Sequence, residues 1–282
     1  MKYLLSIIYG IIQGLTEFLP VSSSGHLAVF QNVFGKVDET MSGITFTLLL
    51  HVGTLAAVIL VYYKDVWNLI KSFFSLIGKL VRGKFKYSEM NDSEKFFCLL
   101  FVALIPLVLG AVLEGTVEFV SAYTWAVGIL WLVNGTILLV SEKLGKKTVA
   151  FSSIKPRNAF VVGLYQLIAI FPGISRSGMT ITGGLMNGFK REFAVKFSFI
   201  LSIPAILGSV LVTVLKDGDE IMKGGNLGIC GVGMIAAFFA GLAAIKLLTY
   251  ITKNHSFKGF AYYCYAAGAA AIIFDICKAF IG

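Results

Sequence analysis

Two polar stretches interrupt long apolar segments of the chain, and they contain the residues whose types and spacing could support chemistry. The first runs Gly14-Leu-Thr-Glu-Phe-Leu-Pro-Val-Ser-Ser-Ser-Gly-His26, and the second runs Phe171-Pro-Gly-Ile-Ser-Arg-Ser-Gly-Met179. When Gly10 is placed on Gly163, a glutamine, two serines and a glycine of the two copies align. The chain therefore contains an internal repeat, and its copies differ at the residues with the most chemistry to offer.

The first stretch combines a carboxylate, hydroxyl groups and an imidazole. Gln13 and Glu17 are four residues apart, which places both on one face of a helix. A hydroxyl of the run Ser22-Ser23-Ser24 and the imidazole of His26 could act as nucleophile and base, and a histidine can itself attack phosphorus. The alternatives are that the serines only cap a helix and that a histidine in an apolar segment, such as His51, only satisfies a hydrogen bond. We predict functional roles for Glu17 and His26 and leave His51 open.

The second stretch places the permanently charged guanidinium of Arg176 among serines and glycines. Helix N-termini and glycine-rich backbone bind phosphate through free amide groups, and an arginine adds a planar, bidentate clamp. A purely structural arginine is disfavoured because the turn lies deep in its apolar segment. Two such turns that meet would form a cradle for a substrate with two negative charges. The residues predicted to bind this substrate are Gln13, Ser22, Ser24, Gly25, Gly173, Ser175, Ser177 and Thr180.

The composition is that of a membrane protein. Hydrophobic residues make up 57% of the 282 residues, charged residues make up 14%, and the mean hydropathy is +0.85. One soluble core cannot bury so much apolar surface, so we predict an all-α polytopic membrane protein. Apolar runs long enough to span about 30 Å of hydrocarbon occur at residues 43–63, 96–113, 122–140, 197–215, 227–248 and 260–281. Two further apolar segments, residues 4–34 and 160–189, are broken by proline, glycine and serine, which is tolerated where protein or a water-filled cavity supplies hydrogen-bond partners.

The net charge of +9 follows a membrane pattern, and no nucleic-acid partner is expected. Residues 64–95 contain seven Lys and Arg and residues 142–158 contain five, whereas residues 114–121 contain two Glu and no basic residue. Basic loops stay in the cytoplasm, so we predict that residues 114–121 and both termini lie outside. The N-terminal segment has no small-residue cleavage site and is expected to be retained. The four cysteines show no metal or redox spacing and are expected to be buried and free.

Each half of the chain contains three predicted spans, an odd number, so the halves should have opposite orientations in the bilayer. We therefore predict one integral membrane domain over residues 1–282, built as an inverted repeat with copies at about 1–141 and 158–282. The broken segments would enter from opposite faces as re-entrant helix-turn-helix pairs and meet near the midplane. The alternative is eight crossings with parallel repeats. Residues 66–81 place apolar residues at helical spacing between lysines, which predicts a helix on the cytoplasmic membrane surface.

Both stretches closely resemble the motifs of the bacterial undecaprenyl-diphosphate phosphatases of the bacitracin-resistance type, and the resemblance covers essentially the whole chain, including residues 192–204. It implies a multi-pass enzyme of the bacterial plasma membrane that hydrolyses undecaprenyl diphosphate to undecaprenyl phosphate and inorganic phosphate. The active site would face outward. The reaction recycles the lipid carrier for peptidoglycan synthesis and confers bacitracin resistance. The resemblance also implies dependence on a divalent cation, Mg²⁺ or Ca²⁺.

By this resemblance, Glu17 corresponds to the second acidic residue of a glutamate-rich motif. It is therefore expected to be a metal ligand. Ser23 and His26 match the candidate nucleophile or base, and Arg176 matches the phosphate-binding arginine. Gln13 departs from the glutamate that is common at the first position, so two carboxylates are not available for a metal there. As the only carboxylate, Glu17 could hold a Mg²⁺ or Ca²⁺ ion together with phosphate oxygens and water. Attack by Ser23, attack by His26 and activation of water by His26 all stay open.

A secondary transporter or lipid flippase is the alternative function. Inverted repeats with re-entrant helices are a transporter architecture, so the predicted fold does not separate the two. The sequence does not determine the oligomeric state, and a homodimer stays open.

Overall fold

A computed structural model of the chain describes residues 1–34, 43–145, 148–223 and 226–281. Within these ranges the protein is helical and contains no β-strand, which confirms the predicted all-α class. The twelve α-helices of the described ranges are α1 (Lys2–Phe18), α2 (Ser23–Phe34), α3 (Ile44–Val61), α4 (Tyr63–Val81), α5 (Asp92–Leu104), α6 (Glu114–Ser121), α7 (Thr124–Leu144), α8 (Pro156–Ile168), α9 (Arg176–Met186), α10 (Arg191–Lys223), α11 (Leu227–Asn254) and α12 (Lys258–Ile281).

All six predicted spans are confirmed as helical segments long and apolar enough to cross a bilayer, namely α3, Asp92–Gly110 (α5 and the turns that follow it), α7, α10, α11 and α12. The chain is therefore a multi-pass membrane protein. The second span differs in detail, because α5 ends at Leu104 and the chain continues as a 3₁₀-helix, Ile105–Leu113. Pro106 accounts for the change, since proline lacks the amide hydrogen that a continuing α-helix needs.

Two connections are more helical than the sequence predicts. The acidic loop expected at residues 114–121 is helix α6. Residues 217–220, which lie between two of the predicted spans, are part of α10, where only Asp217 has a non-helical backbone. Lys216 pairs with Glu114 at 2.7 Å, which joins these two connections.

The cysteines only partly follow the expectation of burial. All four are free, Cys230 and Cys264 are buried, and Cys98 is half-buried. Cys277 is exposed, because it lies near the end of the last helix, on a face that no other described helix covers.

Both broken segments form two helices joined by a short turn. Residues 19–22 join α1 to α2, and residues 169–175 join α8 to α9. Helices α2, α8 and α9 contain 12, 13 and 11 residues. At about 1.5 Å per residue they reach roughly 16–20 Å, well short of the roughly 30 Å of hydrocarbon. Their lengths are those of half-helices.

Glycines bring the first broken segment against a full span. Helix α1 packs along α11, where a Cβ at Gly10 would overlap the carbonyl oxygen of Gly233 and a Cβ at Gly14 would overlap that of Ala237. Small residues allow such close backbone approach between membrane helices. The packing fixes α1, and the polar residues near its C-terminal end, relative to α11.

Replacing Gly10 by alanine should destabilise the protein, because the added methyl group would meet the backbone of α11. We expect a loss of about 1–3 kcal/mol, the usual cost of overpacking. Gly208→Ala in α10 is the matched control, since nothing lies within 4 Å of the added carbon there. Alanine's higher helix propensity should leave that variant as stable as the wild type or more so. Thermal unfolding in detergent compares them, and equal melting temperatures would contradict the packing.

Helix α4 confirms the amphipathic helix predicted over residues 66–81. Ser75 Oγ and Lys79 Nζ each contact one carboxylate oxygen of Glu94 at 2.7 Å, which holds α4 on α5. The large apolar residues that α4 leaves exposed are Trp67, Ile70, Phe73, Phe74, Ile77, Leu80 and Val81. The position of α4 on the cytoplasmic membrane surface stays a prediction.

Candidate active site

The turns of the two broken segments are in direct contact. Ser22 has a left-handed backbone with φ 71°, and Gly173 has φ 103°. The Ser22 hydroxyl accepts hydrogen bonds from the N–H of Gly173 at 3.0 Å and from that of Gly25 at 3.2 Å. A side chain at Gly25 would overlap the backbone of Gly173, and a side chain at Gly173 would be strained at its positive φ. The two glycines therefore allow the two copies of the repeat to meet.

Helix α7 holds both turns through buried polar side chains. Asn134 donates from Nδ2 to the carbonyl of Pro20 at 3.0 Å and accepts at Oδ1 from the N–H of Ser175 at 3.0 Å. Trp131 donates from Nε1 to the carbonyl of Val21 at 2.8 Å. These bonds satisfy backbone groups that the helix breaks release within apolar surroundings.

The carboxylate of Glu17 lies at the centre of the site and is only 8% exposed. Its Oε1 accepts a hydrogen bond from Arg176 Nη2 at 2.7 Å, which joins the two copies of the repeat. Its Oε2 accepts from Ser23 Oγ at 2.6 Å and from Gln13 Nε2 at 3.0 Å. The carboxylate is therefore placed to take the proton of the Ser23 hydroxyl.

Arg176 begins α9 and reaches from the second turn to the first. Only one of its terminal nitrogens, Nη2, pairs with Glu17. The other, Nη1, is buried and has no hydrogen-bond partner within the described ranges. Leaving a buried charged donor unsatisfied is costly, and an anion in the site would satisfy it.

His26 is directed away from this cluster. Its Nδ1 lies 2.7 Å from the carbonyl oxygen of Ser22, to which it donates, and its Nε2 lies 2.6 Å from the hydroxyl of Tyr263. The sequence predicts a hydrogen-bonded Ser23 and His26 pair, whereas the structure pairs Ser23 with Glu17. The reason is that the carbonyl and Tyr263 of α12 occupy both ring nitrogens and turn the imidazole toward α12.

A cavity of about 530 Å³ opens beside the cluster. Glu17, Ser23 and Arg176 contribute a polar part of its wall, and α3 and α10 contribute an apolar part that includes Leu48 and Ile206. Such a cavity, apolar with a few convergent polar groups, suits a ligand that has an anionic head and an apolar body.

Half of the predicted substrate-binding residues line a cavity. Ser22, Ser24 and Ser175 line the main one. Gln13 lines a second cavity of about 250 Å³, which shares Ser24 with the first.

The other half hold the turns together. Gly25 and Gly173 form the contact between the turns, Ser177 donates to a carbonyl of the first turn at 3.1 Å, and Thr180 shares a 2.6 Å hydrogen bond with a serine of α10. These contacts favour positioning roles for the four residues over direct substrate contact.

The donor set does not fit a divalent cation held by the protein alone. Protein donors already engage both oxygens of Glu17, and Gln13 turns an N–H group toward it instead of an oxygen. The part of the chain that the structure describes contains no cluster of three or more His, Cys, Asp and Glu residues suited to a metal. Mg²⁺ and Ca²⁺ take about six or more oxygen ligands. The Mg²⁺ or Ca²⁺ expectation stays a prediction without a protein-built site.

Three further residues belong to the site or its support, namely His51, which lines both cavities, Asn134 and Tyr263. Asn134 could have been found, because a polar residue in the middle of a span usually faces the protein interior. Tyr263 could not, since its contact with His26 joins residues 237 positions apart.

Comparison with known proteins decides the family. The family model described as bacitracin resistance protein BacA matches residues 6–270, a range that contains both polar stretches. The chain belongs to the BacA family.

Full-length relatives of this BacA-family protein carry the name undecaprenyl-diphosphatase. The relative from Alkaliphilus metalliredigens is 42% identical over 275 residues, which cover 96% of this chain and 98% of the relative. That from Methanobrevibacter smithii is 40% identical over 283 residues, covering 99% and 100%. That from Corynebacterium efficiens is 34% identical over 275 residues, covering 97% and 90%.

Proposed function

We propose that this protein hydrolyses undecaprenyl diphosphate to undecaprenyl phosphate and inorganic phosphate, the activity that its relatives' names state. The observation that carries the proposal is one cavity with two complementary groups. Ser23 Oγ donates to Glu17 Oε2 at 2.6 Å, and Arg176, whose buried Nη1 has no partner among the described residues, lines the same cavity. The product is the lipid carrier for peptidoglycan synthesis, and removal of the diphosphate form fits the bacitracin resistance in the family's description.

The cavity wall matches the amphiphilic character of this substrate. The diphosphate would lie at Arg176 and the serines of the two turns, and the isoprenoid chain would leave along α3 and α10. Ile44, Leu48, Ile206 and Val210 supply the apolar surface on those helices. Lipid contacts around the spans would continue this surface outside the cavity.

In the first step, Ser23 Oγ attacks the terminal phosphorus and passes its proton to Glu17 Oε2. A hydroxyl is a weak nucleophile until an adjacent base removes its proton. The bond from that phosphorus to the bridging oxygen breaks, and undecaprenyl phosphate leaves. Arg176 stabilises the charge on the transferred phosphoryl group, the main protein contribution in such reactions.

In the second step, water attacks the phosphoserine. The bond from Ser23 Oγ to phosphorus breaks, Oγ takes back the proton from Glu17, and inorganic phosphate leaves with both protons of the water, as H₂PO₄⁻. The net reaction consumes one water. Gln13, Ser23 and Arg176 orient the Glu17 carboxylate for both proton transfers.

We also propose that the two broken segments are re-entrant halves of an inverted repeat, with the cavity open to the outside of the plasma membrane. Three spans follow each broken segment, the half-helices are too short to cross, and the basic loops favour this orientation. With eight crossings, each broken segment would instead cross once as a kinked span, and the loop at Lys190 and Arg191 would lie outside, which fits the charge pattern less well.

In a variant without the four native cysteines, Asp217→Cys should react with an impermeant thiol reagent added to intact cells, and Lys84→Cys should not. Both positions are at least partly exposed, so protection would reflect the membrane. Lys36 and Lys147, which the sequence also suggests as labelling positions, lie outside the described residues. Labelling of Lys84→Cys alone from outside would reverse the orientation.

Phosphate release from undecaprenyl diphosphate by the purified protein in detergent tests the proposed function. We expect stoichiometric inorganic phosphate and undecaprenyl phosphate. Movement of the lipid between leaflets in vesicles without phosphate release would instead support the transporter or flippase. Mass measurement of the same detergent sample would test the homodimer, which stays a prediction.

A further inference from the structure

His51 lies at the junction of the two cavities. It projects from α3, lines both the 530 Å³ and the 250 Å³ cavities, and is half-buried. Glu17 lines the larger of the two cavities together with it. The mechanism above assigns it no part.

The hydrogen bonds of His51 fix which ring nitrogen can meet a ligand. Nδ1 lies 2.9 Å from the carbonyl oxygen of Thr47, which can only accept, so Nδ1 carries a hydrogen. Nε2 has no hydrogen-bond partner among the residues that the structure describes. The neutral ring therefore presents a lone pair at Nε2, and the protonated ring presents an N–H donor there without changing its orientation.

Charge compensation gives His51 a role. Among the described residues that line the two cavities, three are ionisable, namely Glu17, His51 and Arg176. Glu17 and Arg176 form an ion pair at 2.7 Å, so their charges already cancel. A diphosphate brings at least two negative charges, and burying an anion without a partner is costly.

We propose that His51 is a second diphosphate-binding residue, which takes up one proton from solvent when the substrate binds and donates Nε2–H to a phosphate oxygen. This inference rests on the proposed function for the identity of the substrate. The proton moves from bulk water to Nε2, and no other bond is made or broken.

Other charged groups near α3 are engaged or exposed. Asp65 of α4 and Lys196 of α10 pair with each other at 2.7 Å, and Lys246 of α11 is exposed. The part of α10 that lines the cavity contributes apolar side chains and the hydroxyls of Ser209 and Thr213. The groups that set the charge of His51 are therefore Glu17, Arg176 and the substrate.

The Michaelis constant for undecaprenyl diphosphate should depend on pH through His51. Only the protonated ring donates from Nε2, so KM of the wild type should be lower in acid than in alkaline solution. His51→Gln cannot become charged, and its KM should be about tenfold to a hundredfold higher at the acid end, the usual effect of losing a charge-assisted hydrogen bond. His51→Lys keeps a cation, and its KM should stay low at both ends. The kcat values should change less than KM, because the contact already forms in the bound ground state.

His255→Gln is the matched control, since His255 is exposed in the turn after α11, away from the cavities. The pH dependence of KM in this variant should match that of the wild type, including the change in KM that arises from ionisation of the substrate itself. Identical KM profiles for wild type and His51→Gln would overturn the inference. A wild type that releases no phosphate would overturn the proposed function instead.

Calorimetry provides a second test that does not need turnover. Binding of inorganic diphosphate, measured near neutral pH in two buffers of different ionisation enthalpy, should take up close to one proton in the wild type and in His255→Gln. His51→Gln should take up markedly less. Equal proton uptake by all three proteins would show that another group takes up the proton, and it would contradict the proposed role of His51.

Discussion

Ser23→Ala should release phosphate at least about 10³-fold more slowly than the wild type, because no other described hydroxyl donates to the Glu17 carboxylate. Glu17→Gln should lose a similar amount, since an amide cannot take the proton. The two residues act as one unit, so the double variant should be no slower than either single variant. Initial rates in detergent at saturating substrate measure this.

Ser256→Ala is the control, because Ser256 lies in the turn before α12 and bonds only the backbone there. Glu17→Gln also removes the ionic partner of the buried Arg176, which costs stability. The melting temperature of this variant must therefore be measured together with its rate. Losses that multiply in the double variant would contradict a joint role. An active Ser23→Ala protein combined with an inactive His26→Ala protein would restore the imidazole as nucleophile or base.

Arg176→Ala should lower turnover by about 10²-fold or more, which is typical when a preorganised charge contact is removed. Arg176→Lys should recover little of it. The guanidinium uses Nη2 for Glu17 and leaves Nη1 for the substrate, and a single ammonium group cannot reproduce this fork. Phosphate release by the purified variants gives the answer.

Arg191→Lys is a matched control, since Arg191 also pairs with a glutamate at 2.7 Å, Glu142, but at another position of the fold. That variant should keep near wild-type turnover if it folds. Near wild-type phosphate release by Arg176→Ala would show that Arg176 does not act on the substrate and that its ion pair with Glu17 is only structural.

The elements of this fold were predictable where one physical requirement dominates. A span must be about 20 apolar residues long, so the six spans could be located from hydropathy alone. The breaks at Pro20 and Pro172 could be located because proline and glycine cannot continue a regular helix. The end of α5 was missed, although Pro106 lies in the sequence, since the apolar run continues past it.

The sequence could predict which residues belong to the site, but not which of them form hydrogen bonds with each other. Glu17, Ser23 and Arg176 stand out as polar residues in apolar segments, and the structure brings them together. Their geometry depends on contacts between distant parts of the chain. His26 faces Tyr263 instead of Ser23 because α12 packs beside α2's first turn, and no local pattern contains that information.

The contact between Glu17 and Arg176 joins residues 159 positions apart, and this separation has a consequence for synthesis. At about 5–20 residues per second, the ribosome needs roughly 10–30 s to pass from one to the other. During that interval the first half of the nascent chain enters the membrane with a carboxyl group that still lacks its cationic partner. The earliest spans must therefore insert before the charge that compensates Glu17 has been made.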